Sequence, residues 1–292
     1  MTIKADPEDM AGRIKEIQSD PCNELIPRGE SAGEIVDGHL ITHNGLRVLP
    51  TDPGYVQLLQ ANGGCHEPQE EVVFQEVLKH IPRGGAILEL GAYWAFYSMW
   101  FAKEVAEARC YLVEPRRKNL KVGKYNFAKN GVEGKFFHSK IGHGYLGVDR
   151  FRKTQQLDYI DVLHADIQGA EFEMLCDAEE SLMSAKIGYV FVGTHSQKLH
   201  YQCKTFLERH GYVTIAHADF DHGTYCCDGV LVARHKDVCG PESIEIALRD
   251  PTAQHRAEVA MQALRLDLPH RRVWRPLGAL LHRLQWATRS HS

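Results

Sequence analysis

Two side chains in this sequence stand where chemistry is easiest to place. Asp166 closes the apolar run DYIDVLHAD from Asp158 to Asp166, and His195 comes just after the next apolar run, Ile187 to Val192. The ends of neighbouring strands in a parallel sheet share one edge, the edge at which open α/β sheets bind ligands. A carboxylate and an imidazole there could hold a hydroxyl group and remove its proton, and imidazole titrates near neutral pH. His195 is therefore the candidate base. Asp166 has three uses open to it: binding an ammonium group, orienting a hydroxyl, or ligating a metal. The chain carries 17 histidines, so placement rather than residue type singles out His195. Gly169 suits a tight turn into the following helix, and Glu171 on its first turn complements the helix dipole.

These residues need a sheet to position them. Ala86 to Trp100, AILELGAYWAFYSMW, opens as a buried strand behind the turn Arg83-Gly84-Gly85 and becomes helical from Trp94. Between strand and helix lie Glu89, Gly91 and Ala92, small or acidic residues where the backbone turns and a ligand comes close. Further strands are predicted at Arg109–Glu114, Gly134–Ser139, Asp158–Asp166, Ile187–Val192, Tyr212–His217 and Tyr225–Ala233. Helical patterns separate the first five, at Arg116–Asn130, Ala170–Ala185 and Ser196–His210, and residues 142–156 read as a loop. Repeated strand–helix units predict a parallel sheet with helices on both faces. About seven residues, Ala218 to Thr224, join the last two strands. A parallel crossover needs a dozen or more, so this pair is predicted to be antiparallel.

The flanks differ in charge. Residues 1–37 hold four Lys/Arg against nine Asp/Glu, a net of −5, and residues 264–292 hold six Arg against one Asp, a net of +5. The whole chain of 292 residues is near neutral at −4, so no general field draws it to nucleic acid. Residues 1–66 read as an N-terminal extension with a charged helix and a hairpin around Asn44-Gly45. Residues 67–234 form the main domain, and 235–292 a helical tail. Pro269 to Ser292 mixes Arg with Trp274, Leu277, Leu280, Leu281, Leu284 and Trp286, a pattern suited to an anionic membrane surface, a partner, or its own domain. There is no signal pattern and no long uncharged apolar run, and the eight cysteines show no CxxC spacing. A cytoplasmic protein with reduced thiols is the expectation.

The loop after the first core strand bears on the cofactor. A dinucleotide site wants Gly-x-Gly-x-x-Gly to approach a pyrophosphate. Gly91-Ala92-Tyr93-Trp94-Ala95-Phe96 has one glycine and two bulky aromatics. A sheet ending in an antiparallel hairpin is the arrangement of S-adenosylmethionine-dependent methyltransferases, whose cofactor has no phosphate. Glu114, 23 residues after Gly91, can accept ribose hydroxyls; it suits NAD equally, and a solvated strand-end carboxylate is the plain alternative. Asp166, His195, Asp221 and Asp228 fall near one sheet edge, where Mg²⁺ would prefer the carboxylates. No dense ligand spacing marks a metal site, and none is expected.

With these residues in view, the chain from about Glu67 to Arg234 resembles the FkbM family of methyltransferases. The family's Asp-x-Gly-Ala-Asn-x-Gly corresponds to Glu89-Leu90-Gly91-Ala92-Tyr93-Trp94-Ala95. Its acidic residue followed by Pro corresponds to Glu114-Pro115, with Asn119 following. Its Lys-x-Asp-x-Glu-Gly-x-Glu corresponds to His164-Ala165-Asp166-Ile167-Gln168-Gly169-Ala170-Glu171, and its acidic residue just before a His to Gly193-Thr194-His195. Tyr93, Ala95, His164 and Gly193 thus replace Asn, Gly, Lys and Glu. The resemblance implies a class I methyltransferase fold and S-adenosylmethionine held by Glu89, Gly91, Ala92, Glu114, Pro115 and Asp166. It also implies methyl transfer to a hydroxyl oxygen of a sugar, glycan or secondary metabolite, with His195 and Asp166 catalytic. An NAD-dependent oxidoreductase and a non-catalytic binding protein on the same fold are the rival readings.

Overall fold

The computed structural model describes residues 10–142 and 144–266. The chain divides into two compact units, residues 1–254 and 255–292. The basic stretch Pro269–Ser292 lies outside the described residues.

In chain order the first unit begins with helices α1 (Met10–Ser19) and α2 (Cys22–Leu25). A small antiparallel sheet follows, made of β1 (Ile35–Val36), β2 (His39–Ile41) and β3 (Arg47–Val48). Helices α3 (Pro53–Ala61) and α4 (Pro68–Leu78) lead to the central strands and helices β4 (Ala86–Leu90), α5 (Phe96–Glu104), β5 (Arg109–Val113), α6 (Arg117–Lys129), β6 (Lys135–Phe137) and α7 (Val148–Thr154). Then come β7 (Ile160–Ala165), α8 (Glu171–Asp177), α9 (Glu179–Met183), β8 (Ile187–Thr194), α10 (Gln197–Arg209), β9 (Tyr212–Ala218) and β10 (Gly229–His235). Helix α11 spans Pro251–Leu266.

The central sheet has seven strands in the order β6-β5-β4-β7-β8-β10-β9. β4 pairs in parallel with β5 and β7, and β6 and β8 extend the sheet in parallel on either side. β10 runs antiparallel to both β8 and β9. This is the mostly parallel sheet with a C-terminal antiparallel hairpin that the short connection before β10 predicts.

Side chains alternate across the sheet and build two cores. Ile87, Leu112, Val162, Phe191 and Val232 face a layer holding Phe74 of α4, Trp100 of α5 and Phe127 of α6. Leu88, Leu90, Val113, Leu163 and Val190 face Phe151 of α7, Leu175 of α8 and Leu207 of α10. Covered on both faces, such strands are apolar at nearly every position, which is why they stand out in the sequence. Leu40, Val48 and Leu59 of the N-terminal segment join the first core.

Three elements depart from the sequence reading. Residues 142–156 contain helix α7, where Val148 and Phe151 stand one turn apart and bury into the second core. The helix expected from Ala170 to Ala185 breaks at Ala178. There the Asp149 carboxylate accepts the backbone NH groups of Glu180 and Ser181, each at 2.9 Å, and starts a second helix. Helix α3 was not anticipated, although Asp52-Pro53 is a normal helix start; Asp52 accepts the NH groups of Gly54 and Tyr55.

The N-terminal segment is also tied down by buried charge. Glu71 on α4 is completely buried; it lies 2.7 Å from Nδ1 of His66 and 3.2 Å from Nε2 of His43, and it accepts the NH of His66 at 2.9 Å. Burial disfavours each charge, but the pairing prevails. His66 is raised to about 9, with Glu71 and Glu67 holding its proton. Glu71 is lowered to about 2 by His66 and His43. A histidine raised from 6.5 to about 9 stabilises the fold fully below pH 6.5 and loses that contribution as pH climbs through 9. Removing one partner of a buried pair costs about 3–5 kcal/mol, so His66→Gln is expected to lower stability by about 3 kcal/mol at pH 6. The gap between variant and wild type should close toward pH 9, with Glu67 and His43 facing the same site. Calorimetric melts at several pH values check this; a gap independent of pH would remove the ion pair as its cause.

Candidate active site

Three chain segments meet at one end of the sheet. β4 ends at Leu90, and Gly91 turns with φ +78°. The Asp166 NH, just past β7, donates to the Leu90 carbonyl at 3.1 Å. A Cβ on Gly91 would sit 1.9 Å from the Asp166 carbonyl oxygen. Glycine is therefore demanded twice, by the backbone angle and by the missing space. Tyr93 and Ala95 in the same turn also have positive φ, +43° and +71°, a conformation that costs a side chain roughly 1–2 kcal/mol.

Glu114 follows β5 and is 4% exposed. Its Oε2 accepts the Tyr93 NH at 3.0 Å and its Oε1 the Arg116 NH at 2.7 Å, with Asn119 Nδ2 at 3.4 Å. The carboxylate thus fastens the Gly91 turn to the neighbouring strand end. A carboxylate offers about four lone-pair sites, so one remains for a ligand hydroxyl. The Pro115 carbonyl accepts from His138 Nε2 at 2.9 Å. Glu89, buried in β4, accepts the Ser98 NH at 3.1 Å; burial raises its pKa, and His164 opposes the rise.

Asp166 and His195 do come together. Nε2 of His195 lies 3.2 Å from Asp166 Oδ1 and 3.2 Å from Asp228 Oδ1, and its Nδ1 lies 3.0 Å from Glu171 Oε1. Sheet register explains the meeting. Thr194 pairs with Gly229, so His195 and Asp228 are the next residues along two antiparallel strands. Gly193 leaves room on the other side, since a Cβ there would stand 3.5 Å from Asp166 Cβ. Glu171 is completely buried. Its Oε1 accepts the NH groups of Ile167 and Gly169, each at 3.1 Å, so it does more than complement a helix dipole. Burial works against the His195 charge, but hydrogen bonds to Asp166 and Glu171 and the nearby Asp228 raise its pKa to about 11. The same contact with His195 lowers Asp166 against the effect of burial. Of the four metal candidates read from the sequence, Asp166, His195 and Asp228 cluster and Asp221 is left out.

Asp166 and Asp228 line a cleft with Gly91, Ala92, Tyr93, Trp94, Tyr55 and Tyr97 and three more carboxylates, Glu67, Glu70 and Glu89. His66 and His164 are its ionisable nitrogen groups among the described residues, with no lysine or arginine. His164 Nε2 stands 2.6 Å from Glu70 Oε1, and its ring lies 4.1 Å from that of Tyr97. Tyr97 donates to Glu67 at 2.9 Å. The contribution of His66, Glu67 and Glu70 was missed in the sequence. The signal was His66-Glu67-Pro68-Gln69-Glu70-Glu71, where like charges three and four apart disfavour a helix unless they have partners elsewhere.

No family model and no curated protein matches this chain. Solved structures similar to it include M. capricolum TrmK in complex with S-adenosyl-homocysteine, at 15% identity over 57% of this chain and 69% of that one, TM-score 0.40. The precorrin-6y C5,15-methyltransferase of Geobacter metallireducens GS-15 is 14% identical over 55% and 84%, TM-score 0.41. The ribosomal protein L11 methylase of Lactobacillus delbrueckii subsp. bulgaricus is 13% identical over 60% and 81%, TM-score 0.42. The likeness in each case is partial.

Gly91→Ala tests the turn. Overpacking costs about 1–3 kcal/mol and a left-handed side chain about 1–2 more, so a loss of about 3 kcal/mol is expected, or roughly 6–12 °C in melting temperature. A melting curve that coincides with that of wild type would show that the two strand ends are not in contact.

Proposed function

We propose that this protein transfers a methyl group from S-adenosylmethionine to a hydroxyl oxygen. The observation that carries the reading is the charge of the cleft at the carboxyl ends of the parallel strands. Its lining holds five carboxylates without a lysine or arginine among the described residues. A sulfonium and an ammonium group are favoured there, whereas the pyrophosphate of NAD would find only His66 and His164 as cations, both already paired with carboxylates. The single glycine of the turn and the reversed strand β10 support the same choice.

The donor set fits this cofactor. Glu114 keeps a lone pair beside the Gly91 turn, and Glu89, Asp166 and the backbone at Gly91 and Ala92 supply the rest. The cleft encloses about 590 Å³ with its mouth, of which about 50 Å³ is open to the centre of a water molecule. The rings of Tyr55, Tyr93 and Trp94 bound this space.

The cofactor supplies an electrophilic methyl group when bound. The residues of this chain hold the acceptor and manage its proton. A hydroxyl placed beside Asp166, Asp228 and His195 finds two carboxylate acceptors and an imidazole whose Nδ1 lies 3.0 Å from Glu171. While Nε2 keeps its own proton, His195 orients the acceptor oxygen as a donor; once Nε2 is bare, it can take the hydroxyl proton. The resemblance of the motifs favours a sugar, glycan or secondary metabolite as acceptor.

The narrow room in the cleft favours one second reading, a binding protein that does no chemistry. Calorimetry with S-adenosylhomocysteine, S-adenosylmethionine and NAD separates the readings. Binding of the two sulfur compounds is expected, and binding of NAD alone would overturn the proposal. Glu114→Ala should weaken S-adenosylhomocysteine by about 1.5–3 kcal/mol, roughly 10–150-fold. His195→Ala should lower turnover with a hydroxyl acceptor by about 10²–10⁴-fold and leave S-adenosylhomocysteine affinity nearly unchanged. Mass-spectrometric turnover within threefold of wild type would sink the role of His195.

A further inference from the structure

We infer that Asp166, His195 and Asp228 form a binding site for a divalent cation of the Mg²⁺ or Mn²⁺ class. Oδ1 of Asp166, Nε2 of His195 and one oxygen of Asp228 all lie within 4.8 Å of one another. Each carboxylate oxygen stands 3.2 Å from the imidazole nitrogen. Adjacent ligands of an octahedral ion bound at roughly 2.1 Å are about 3 Å apart, so the nitrogen and either oxygen are spaced as neighbouring ligands.

The surroundings of His195 support the assignment. Oε1 of Glu171 lies 3.0 Å from Nδ1, on the side of the ring away from Nε2, which faces the two aspartates. Histidines that ligate metals almost always have a carboxylate or carbonyl beside their second ring nitrogen. Here that carboxylate is itself completely buried and locked by two backbone NH groups. The group nearest to Nε2 is the Gln168 amide nitrogen, 2.9 Å from it and 3.2 Å from Asp166 Oδ1, a neutral donor that a bound cation would displace.

A second observation points the same way. Nδ1 of His164, 5% exposed, lines the same cleft and has no hydrogen-bond partner, and neither does Oε2 of the buried Glu171. Mg²⁺ and Mn²⁺ keep several of their waters when held by few protein ligands, and such waters supply partners to polar atoms nearby. Two carboxylates with one imidazole suit Mn²⁺ as well as Mg²⁺. Asp166 and Asp228 line the cleft, so the cation has positions left for an acceptor hydroxyl, whose acidity it would raise in place of the imidazole, since a ligated Nε2 cannot also take the proton. That last use rests on the methyl-transfer reading; cation binding does not.

The test uses the full chain, stripped with EDTA, dialysed and titrated with MnCl₂ alone, with bound ion read from loss of the free Mn²⁺ paramagnetic resonance signal. One Mn²⁺ per chain is expected, displaced by Mg²⁺ and accompanied by a rise in melting temperature. Asp228→Asn should weaken binding at least tenfold, and Glu171→Gln about 10–100-fold, as loss of a ligand's supporting carboxylate does elsewhere. Should Asp228→Asn fail to melt cooperatively, His195→Gln takes its place. No saturable binding below about 1 mM, the weak end for biological cation sites, would overturn the proposal. So would a folded ligand variant that binds Mn²⁺ as wild type does. Because neither cofactor nor acceptor is present, an absence of methyl transfer would leave this result intact.

Discussion

The approach of Gly91 to the carbonyl of Asp166 is the contact on which the rest of this molecule turns. Two adjacent parallel strands end at the same level, and the loops leaving them would collide if Gly91 carried a side chain at the crossing. The missing Cβ lets the Leu90 carbonyl take the Asp166 NH, which seats the Asp166 side chain near His195. The same turn presents the Tyr93 NH to Glu114, so three strand ends are fixed through one glycine. Packing sets this geometry, while the polar bonds hold it.

Charge is the second constraint. The cleft gathers carboxylates that would repel one another if bare. Glu71 has His66 and His43, Glu70 has His164, and Asp166 and Asp228 share His195. Histidine does this work throughout, where lysine or arginine would add permanent charge and bulk. Each pair joins separate parts of the chain: α4 to the N-terminal segment, α4 to β7, and β7 to β10. The electrostatic network therefore holds together the walls of the site.

Much of this was legible in the sequence because doubly covered strands are written as unbroken apolar runs. Ile87, Leu163 and Val190 mark strands whose ends then locate Asp166 and His195. The short connection before β10 exposed the hairpin. Other features depend on contacts that no local pattern encodes. Helix α7 has seven residues and exists because Val148 and Phe151 find a core. Tyr93 and Ala95 adopt angles that their own preferences oppose. Asp149 divides a helix some thirty positions away. The acids of residues 67–71 look like a solvated helix start until the histidines that neutralise them are seen in space.

The reversal of β10 has a bearing on how such a site could change over time. Parallel strands deliver their last residues to the working edge, so Asp166 and His195 arrive on chain already committed to the sheet. An antiparallel strand delivers its start instead, and Asp228 arrives from the connection between Ala218 and Gly229, in which Asp219, Thr224 and Cys226 are buried. Insertions or deletions in that connection leave the strand order untouched, yet they act directly on one of the three converging side chains. Two members of the trio come with the parallel strands, and the position of the third depends on how residues 219–228 pack.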